Sequence, residues 1–293
     1  MSEPNKHHYI PIFYSKQWAG SNGNLCQYSR PYKSVVYKWK SPAAVGYRPG
    51  LYTMPGVPLD QAQNIEKRLM GMTDVSAAEA LQIFLERNTA AFGARECIGW
   101  ARFLYALTHR NPEKIAEMQA KLAIDAPLAI EEYRSVYDSM RRTADPPTFD
   151  EFKAQYLTNE TNMSALNVLP SLLQSRRVLS QISNMNFRTI HVDRFAGRTF
   201  LTSDRPIIMT NGLLKPESHI VIAISPTMLF VADNTDYGYK FLNSLPADKL
   251  IQTINHQVAE QSYEFVYGTD ASQLKFISKR LGKKAPAIPG DAL

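Results

Sequence analysis

The hydrophobic pattern changes period twice along the chain. From the start to about residue 58, short apolar–polar alternations are cut by turn residues. Asn22, Gly23 and Asn24 precede the run Leu25 to Ser29, and Arg30–Pro31 breaks the chain before Ser34 to Trp39. Pro42, Pro49, Pro55 and Pro58 then keep it irregular. Between 59 and 184 the period lengthens to that of helices. Leu59, Ile65, Leu69 and Met70 suit one apolar face, and Ser76 with Glu79 has the spacing of a capping box at a helix start. A helix is expected over Arg95 to His109. Another should be opened by Asn111 as cap, Pro112 at its first position and Glu113 beside the positive helix end. Thr148 and Glu151 repeat the capping-box spacing, and Met163 to Ile182 reads as a helix with a bend at Pro170.

After Phe187 the period returns to two. Strands are expected over Phe187 to Asp193, Thr199 to Ser203, His219 to Ile224, Met228 to Val231 and Tyr263 to Tyr267, with a helix over Pro246 to Gln261. The stretch carrying Lys275, Lys279, Arg280, Lys283 and Lys284 reads as a frayed, basic end. The order strands, helices, strands predicts an α+β fold. One mixed or antiparallel sheet is shared by N-terminal and C-terminal strands, with a helical middle region packed beside it. The expected organisation is one domain over 1–283, with zones 1–58, 59–184 and 185–283, followed by a disordered tail at 284–293.

Composition changes this picture little. The 293 residues are 44% hydrophobic and 20% charged, which is globular. No apolar run approaches the roughly 20 residues of a membrane span, so no membrane partner is expected. Cys26 and Cys97 have no zinc spacing, which fits reduced thiols in the cytoplasm. Charge is more informative. Residues 1–59 carry Lys6, Lys16, Arg30, Lys33, Lys38, Lys40 and Arg48 against Glu3, seven minus one, so this segment holds the whole net charge of +6. Aromatics are interleaved with these cations. Such a pattern suits nucleic acid or another phosphorylated ligand; a half-buried sheet with aromatics inside and lysines outside would produce it equally.

Four places could carry chemistry. His7-His8-Tyr9 offers imidazoles that titrate near neutrality; neighbours on a strand face opposite ways, and His8 is the one assigned to a site. Thr202-Ser203-Asp204-Arg205-Pro206 ends an apolar strand, where Asp204 could accept a proton or make a plain turn. In Thr108-His109-Arg110-Asn111-Pro112, Arg110 offers a fork for an anion or completes the helix end. Glu66 lies early on its helix, where it could act as an acid–base group or complement the dipole. No nucleotide-binding loop, nucleophile elbow or zinc-protease motif is present, and His191, His219 and His256 lack ligand spacing.

His8-Tyr9-Ile10-Pro11 with Phe13-Tyr14, then Tyr52-Thr53, Glu66, Arg110-Asn111-Pro112, Thr202-Ser203-Asp204-Arg205-Pro206, Ser225-Pro226 and Ile254-Asn255 follow one another in an order that resembles the bacterial family DUF 4238. Ser15 and Leu51 depart from its usual pattern, at positions that carry none of the proposed polar groups. The resemblance implies that His8, Tyr14, Glu66, Arg110, Asp204 and Asn255 come together; it names no reaction. The function expected is a hydrolase acting on a phosphodiester, nuclease-like. His8, Glu66 and Asp204 are its catalytic residues, and Arg110, Tyr14, Asn255 and Lys38 its substrate contacts. A divalent metal is compatible with this set, and oligomeric state is open. The alternatives are a nucleic-acid or nucleotide sensor without catalysis, and a structural or partner-binding protein whose polar cluster is a buried network.

Overall fold

The computed structural model describes residues 6–54, 64–157, 164–192, 198–210 and 212–282. The N-terminal zone holds β1 (Lys6–His8), α1 (Ile12–Ser15), β2 (Leu25–Ser29), β3 (Val36–Lys40) and β4 (Tyr47–Pro49). A π-helical turn, Ile65–Met70, runs directly into α2 (Gly71–Glu86). The helical zone continues with α3 (Ala94–His109), α4 (Pro112–Arg134), α5 (Tyr137–Met140), α6 (Phe149–Phe152), α7 (Ala165–Leu173) and α8 (Arg176–Ser183). Then come β5 (Asn186–His191), β6 (Thr202–Ser203), β7 (Ile208–Thr210), β8 (His219–Ser225) and β9 (Met228–Asp233). The chain closes with α9 (Tyr237–Ser244), α10 (Ala247–Gln261), β10 (Phe265–Gly268) and α11 (Leu274–Ser278).

The fold is α+β with antiparallel sheets, and the two β zones do pair: β2 lies against β10, in the order β3-β2-β10-β6. A single sheet is not formed. β1 and β4 make a separate ribbon, and β5-β9-β8-β7 makes a third sheet from C-terminal strands alone. β8 and β9 are apolar on both faces, with Ile222, Leu229 and Phe230 fully buried, so this sheet must be covered on both sides. One cover is the helical zone, where Phe84 and Trp100 each pack on Phe230 with ring centroids 5.2 and 5.4 Å apart.

The first helix explains how the sheets are joined. Tyr14 is wholly buried, and its hydroxyl donates to the carbonyl of Ala223 (2.8 Å) and bonds Thr202 Oγ1 (2.7 Å). It thus clamps β6 to β8. Trp18 Nε1 donates to the carbonyl of Phe200 at 2.8 Å. Gly46 holds the ribbon close to this helix. Its carbonyl accepts from the N–H of Tyr9 and of Ile10, its φ is +60°, and a Cβ there would lie 2.5 Å from that of Ile10. No side chain fits that approach.

Several local expectations need correction. The spacing of Ser76 and Glu79 does not start a helix; α2 runs through Ser76, whose hydroxyl donates back to the carbonyls of Met72 and Thr73. Met163 to Ile182 is two helices, and the break falls at Gln174–Ser175, while Pro170 sits inside α7. The strand expected from Thr199 is only Thr202–Ser203. Lys275 to Arg280 are not frayed. Ile277 and Leu281 are buried, and Arg30 donates to the carbonyls of Ser278 (2.6 Å) and Leu281 (3.2 Å). The expected tail at 284–293 and Leu59 lie outside the described residues. Among the described residues no helix is long and apolar enough to cross a membrane.

Candidate active site

The end of α3 forms as its sequence dictates. Asn111 is the N-cap of α4, accepting from the N–H of Lys114 at 2.8 Å, with Pro112 next. This turn carries Arg110 inward, where it is fully buried. Its Nη1 and Nη2 donate to the two carboxylate oxygens of Asp74 at 2.7 and 3.3 Å, and Nη2 also donates to the carbonyl of His8 at 2.6 Å. Burial disfavours the cation, but Asp74 and Tyr52 outweigh it, and Arg110 holds its proton more tightly than usual. Arg110 is therefore not the free phosphate clamp expected of it. It is a strut that fixes β1 against α2.

Tyr52, also fully buried, donates its hydroxyl to the carbonyl of Arg110 at 2.6 Å. Its N–H donates to Nδ1 of His7 at 2.8 Å, and the two rings stack at 5.6 Å. That bond makes His7 Nδ1 an acceptor, so the ring is neutral with its proton on Nε2, which has no partner among the described residues. Burial lowers the His7 pKa further. As expected of strand neighbours, His8 faces the other way. It is half-buried, and its Nε2 donates to the carbonyl of Ala43 at 3.4 Å. Burial lowers its pKa, so this ring too is neutral at pH 7.

Glu66 completes the group. It sits in the π-helical turn, a distortion that inserts an extra residue per turn and recurs at functional sites. The backbone N–H of His8 faces its carboxylate. Oε2 is buried without a partner among the described residues. Burial pushes the Glu66 pKa up to about 7; Arg110 pulls it down and Asp74 pushes it up. A carboxyl with that value exchanges its proton near neutral pH, the property required of a general acid or base.

The other expected site residues have separate tasks. Asp204 accepts from the backbone N–H groups of Tyr263 (2.9 Å), Glu264 (2.6 Å) and Phe265 (2.8 Å), tying the end of β6 to the start of β10. Both its oxygens are occupied, and burial holds its pKa up at about 6. Asn255 accepts from the N–H of Leu201 (2.8 Å) and donates to the carbonyl of Thr199 (2.9 Å) and to Gln273 Oε1 (2.9 Å). Tyr14 is the clamp described above. These three serve the fold. Lys38 lies exposed on β3. The structure thus gathers Glu66, Arg110 and the backbone of His8, turns the His8 ring expected as catalytic away toward Ala43, and leaves Asp204, Asn255 and Tyr14 apart. Asp74 and His7 join the cluster without having been expected as members. Asp74 could have been found from its place four and eight residues along the helix from Met70 and Glu66, which puts all three near one face.

Among the described residues no three His, Cys, Asp or Glu side chains are grouped to hold a metal ion. The aromatic and basic N-terminal zone divides. Tyr14, Trp18, Tyr28 and Tyr52 are buried, whereas Tyr37, Trp39 and Tyr32 are exposed at 43%, 48% and 88% beside Lys33 and Lys38. The arrangement with all aromatics inside is therefore wrong for β3. This edge strand ends at Lys40, three residues before the Ala43 carbonyl that meets His8.

An α+β chain built around a buried arginine–carboxylate strut beside a carboxyl poised near neutrality is the class that this fold and cluster define. The chain belongs to the family described as "Protein of unknown function (DUF4238)", whose model matches residues 6–272. No curated protein and no solved structure matches it.

Proposed function

We infer that this chain is a cytoplasmic, bacterial, nuclease-like hydrolase of phosphodiesters, with Glu66 as the proton-transfer group and the backbone of His8 against it. The observation that carries the reading is Glu66, whose pKa is pushed up to about 7 and whose Oε2 is buried and without a partner among the described residues. A carboxyl kept in that condition costs stability, and catalysis is the common reason to keep it. The His8 ring, turned toward the Ala43 carbonyl, takes no part in that transfer. Arg110 and Asp74 act as positioning residues, because they fix the backbone of His8 rather than meet substrate. The exposed aromatics and lysines of β3 supply a stacking and phosphate-tracking edge that runs toward His8. Free thiols at Cys26 and Cys97 suit the cytoplasm.

The test is turnover of end-labelled single- and double-stranded RNA and DNA, with and without a divalent metal. Glu66→Gln should lose roughly 100- to 10,000-fold in rate with binding retained. Salt-sensitive binding with no cleavage would favour the sensor reading instead. The complete burial of Arg110 supports a second reading, in which the cluster is a network that fixes the fold. Under it, no substrate of any kind would be turned over, and Glu66→Gln would change stability alone.

A further inference from the structure

On the far side of Asn255, α10 and α11 enclose a cavity of about 470 Å³. That lies within the range of small-ligand sites, roughly 300 to 1,000 Å³. Four cations line it, Arg198, Lys275, Lys279 and Arg280, and among the described residues no acidic side chain does. None of the four makes an ion pair among the described residues. Four like charges around one hollow repel one another, an arrangement that a polyanion relieves.

The floor is built before any ligand arrives. Asn255 and Gln273 are locked to each other, and both donate to the carbonyl of Thr199. Arg280 is held in turn. It stacks over the Phe276 ring at 3.9 Å and donates Nη1 to the Phe276 carbonyl, while its Nε is buried without a partner among the described residues. Arg198, Lys275 and Lys279 are exposed and free to close on phosphate oxygens. Phe276 and Ile251 add an apolar wall against which a ring can lie.

We propose that this cavity binds a small diphosphate of nucleotide size. The site is separate from Glu66 and does not depend on what Glu66 does. Calorimetric titration of the full chain with ADP, inorganic pyrophosphate and adenosine tests it. ADP and pyrophosphate should bind, and adenosine should bind at least about 100-fold more weakly. The pair Lys275→Glu, Lys279→Glu alters only exposed side chains, so the protein should fold, which circular dichroism checks. It should weaken ADP roughly 100-fold or more, against a much smaller loss for Glu66→Gln. Failure of both ADP and pyrophosphate to bind at about 1 mM and low salt would overturn the proposal. So would full ADP affinity in the folded charge-reversal pair.

Discussion

Asp74→Ala should be among the most destabilising single changes in this chain. It removes the carboxylate from a guanidinium that is fully buried and makes two bonds to it, leaving the carbonyl of His8 as its partner among the described residues. Breaking a buried pair from one side costs about 3–5 kcal/mol. The Asp74 side chain is 25% exposed, so water can reach part of the vacated space, and the expected loss is about 3 kcal/mol. For a chain of this size that lowers Tm by roughly 5 °C. Arg110→Met should cost less, about 2 kcal/mol, because the stranded carboxylate can turn to solvent. The double variant Asp74→Ala, Arg110→Met should be more stable than the sum of the single effects by at least about 1 kcal/mol. Urea titration of the four proteins measures all of this. The two single changes should also move the Glu66 titration oppositely: downward in Asp74→Ala, because Asp74 pushes it up, and upward in Arg110→Met. An Asp74→Ala loss below about 1 kcal/mol, with no coupling in the double variant, would refute the strut.

Asp204→Ala removes the carboxylate that three part-buried backbone N–H groups share and should cost about 2 kcal/mol, read by urea titration, without moving the pH–rate midpoint. Glu66 binds more protons folded than unfolded between its ordinary pKa of 4.5 and about 7, so its contribution to stability is full below 4.5 and lost as pH rises through 7. Allowing for its partial exposure, Glu66→Gln should gain about 1–2 kcal/mol relative to the parent on going from pH 4 to pH 8, measured by urea titration at each pH. Trp39→Ser with Lys38→Ser on the β3 edge should weaken single-stranded RNA binding roughly ten-fold or more and flatten its salt dependence, read by fluorescence anisotropy; unchanged binding would remove β3 from the account.

Much of what the chain announces locally it also builds, the Ser76–Glu79 spacing inside α2 being an exception. Asn111-Pro112 caps α4 and Thr148 with Glu151 forms its capping box, because a cap is decided within four residues. The turn at Gly23 and strand Leu25–Ser29 are local in the same sense. The partners of those elements are not. β2 meets β10 across more than two hundred residues, and Arg110 meets Asp74 across 36, with nothing in either segment to name the other. That is why Arg110 reads as an open clamp in sequence and is a closed strut in space. Asp204 shows a different difficulty. A carboxylate at a strand end suits proton transfer or backbone capture equally, and the choice rests on whether N–H groups from a distant segment arrive. Glu66 was legible as a residue, but its π-helical setting and missing partner were not, since both depend on packing.

The central claim is that Glu66 is held for proton exchange near neutrality. Carbon-13 NMR titration of the side-chain carboxyls, with the Glu66 signal assigned by its loss in Glu66→Gln, tests it without reference to any substrate. The expected midpoint in the parent chain is about 7. A midpoint near the ordinary 4.5 would contradict it and leave the cluster as a structural strut.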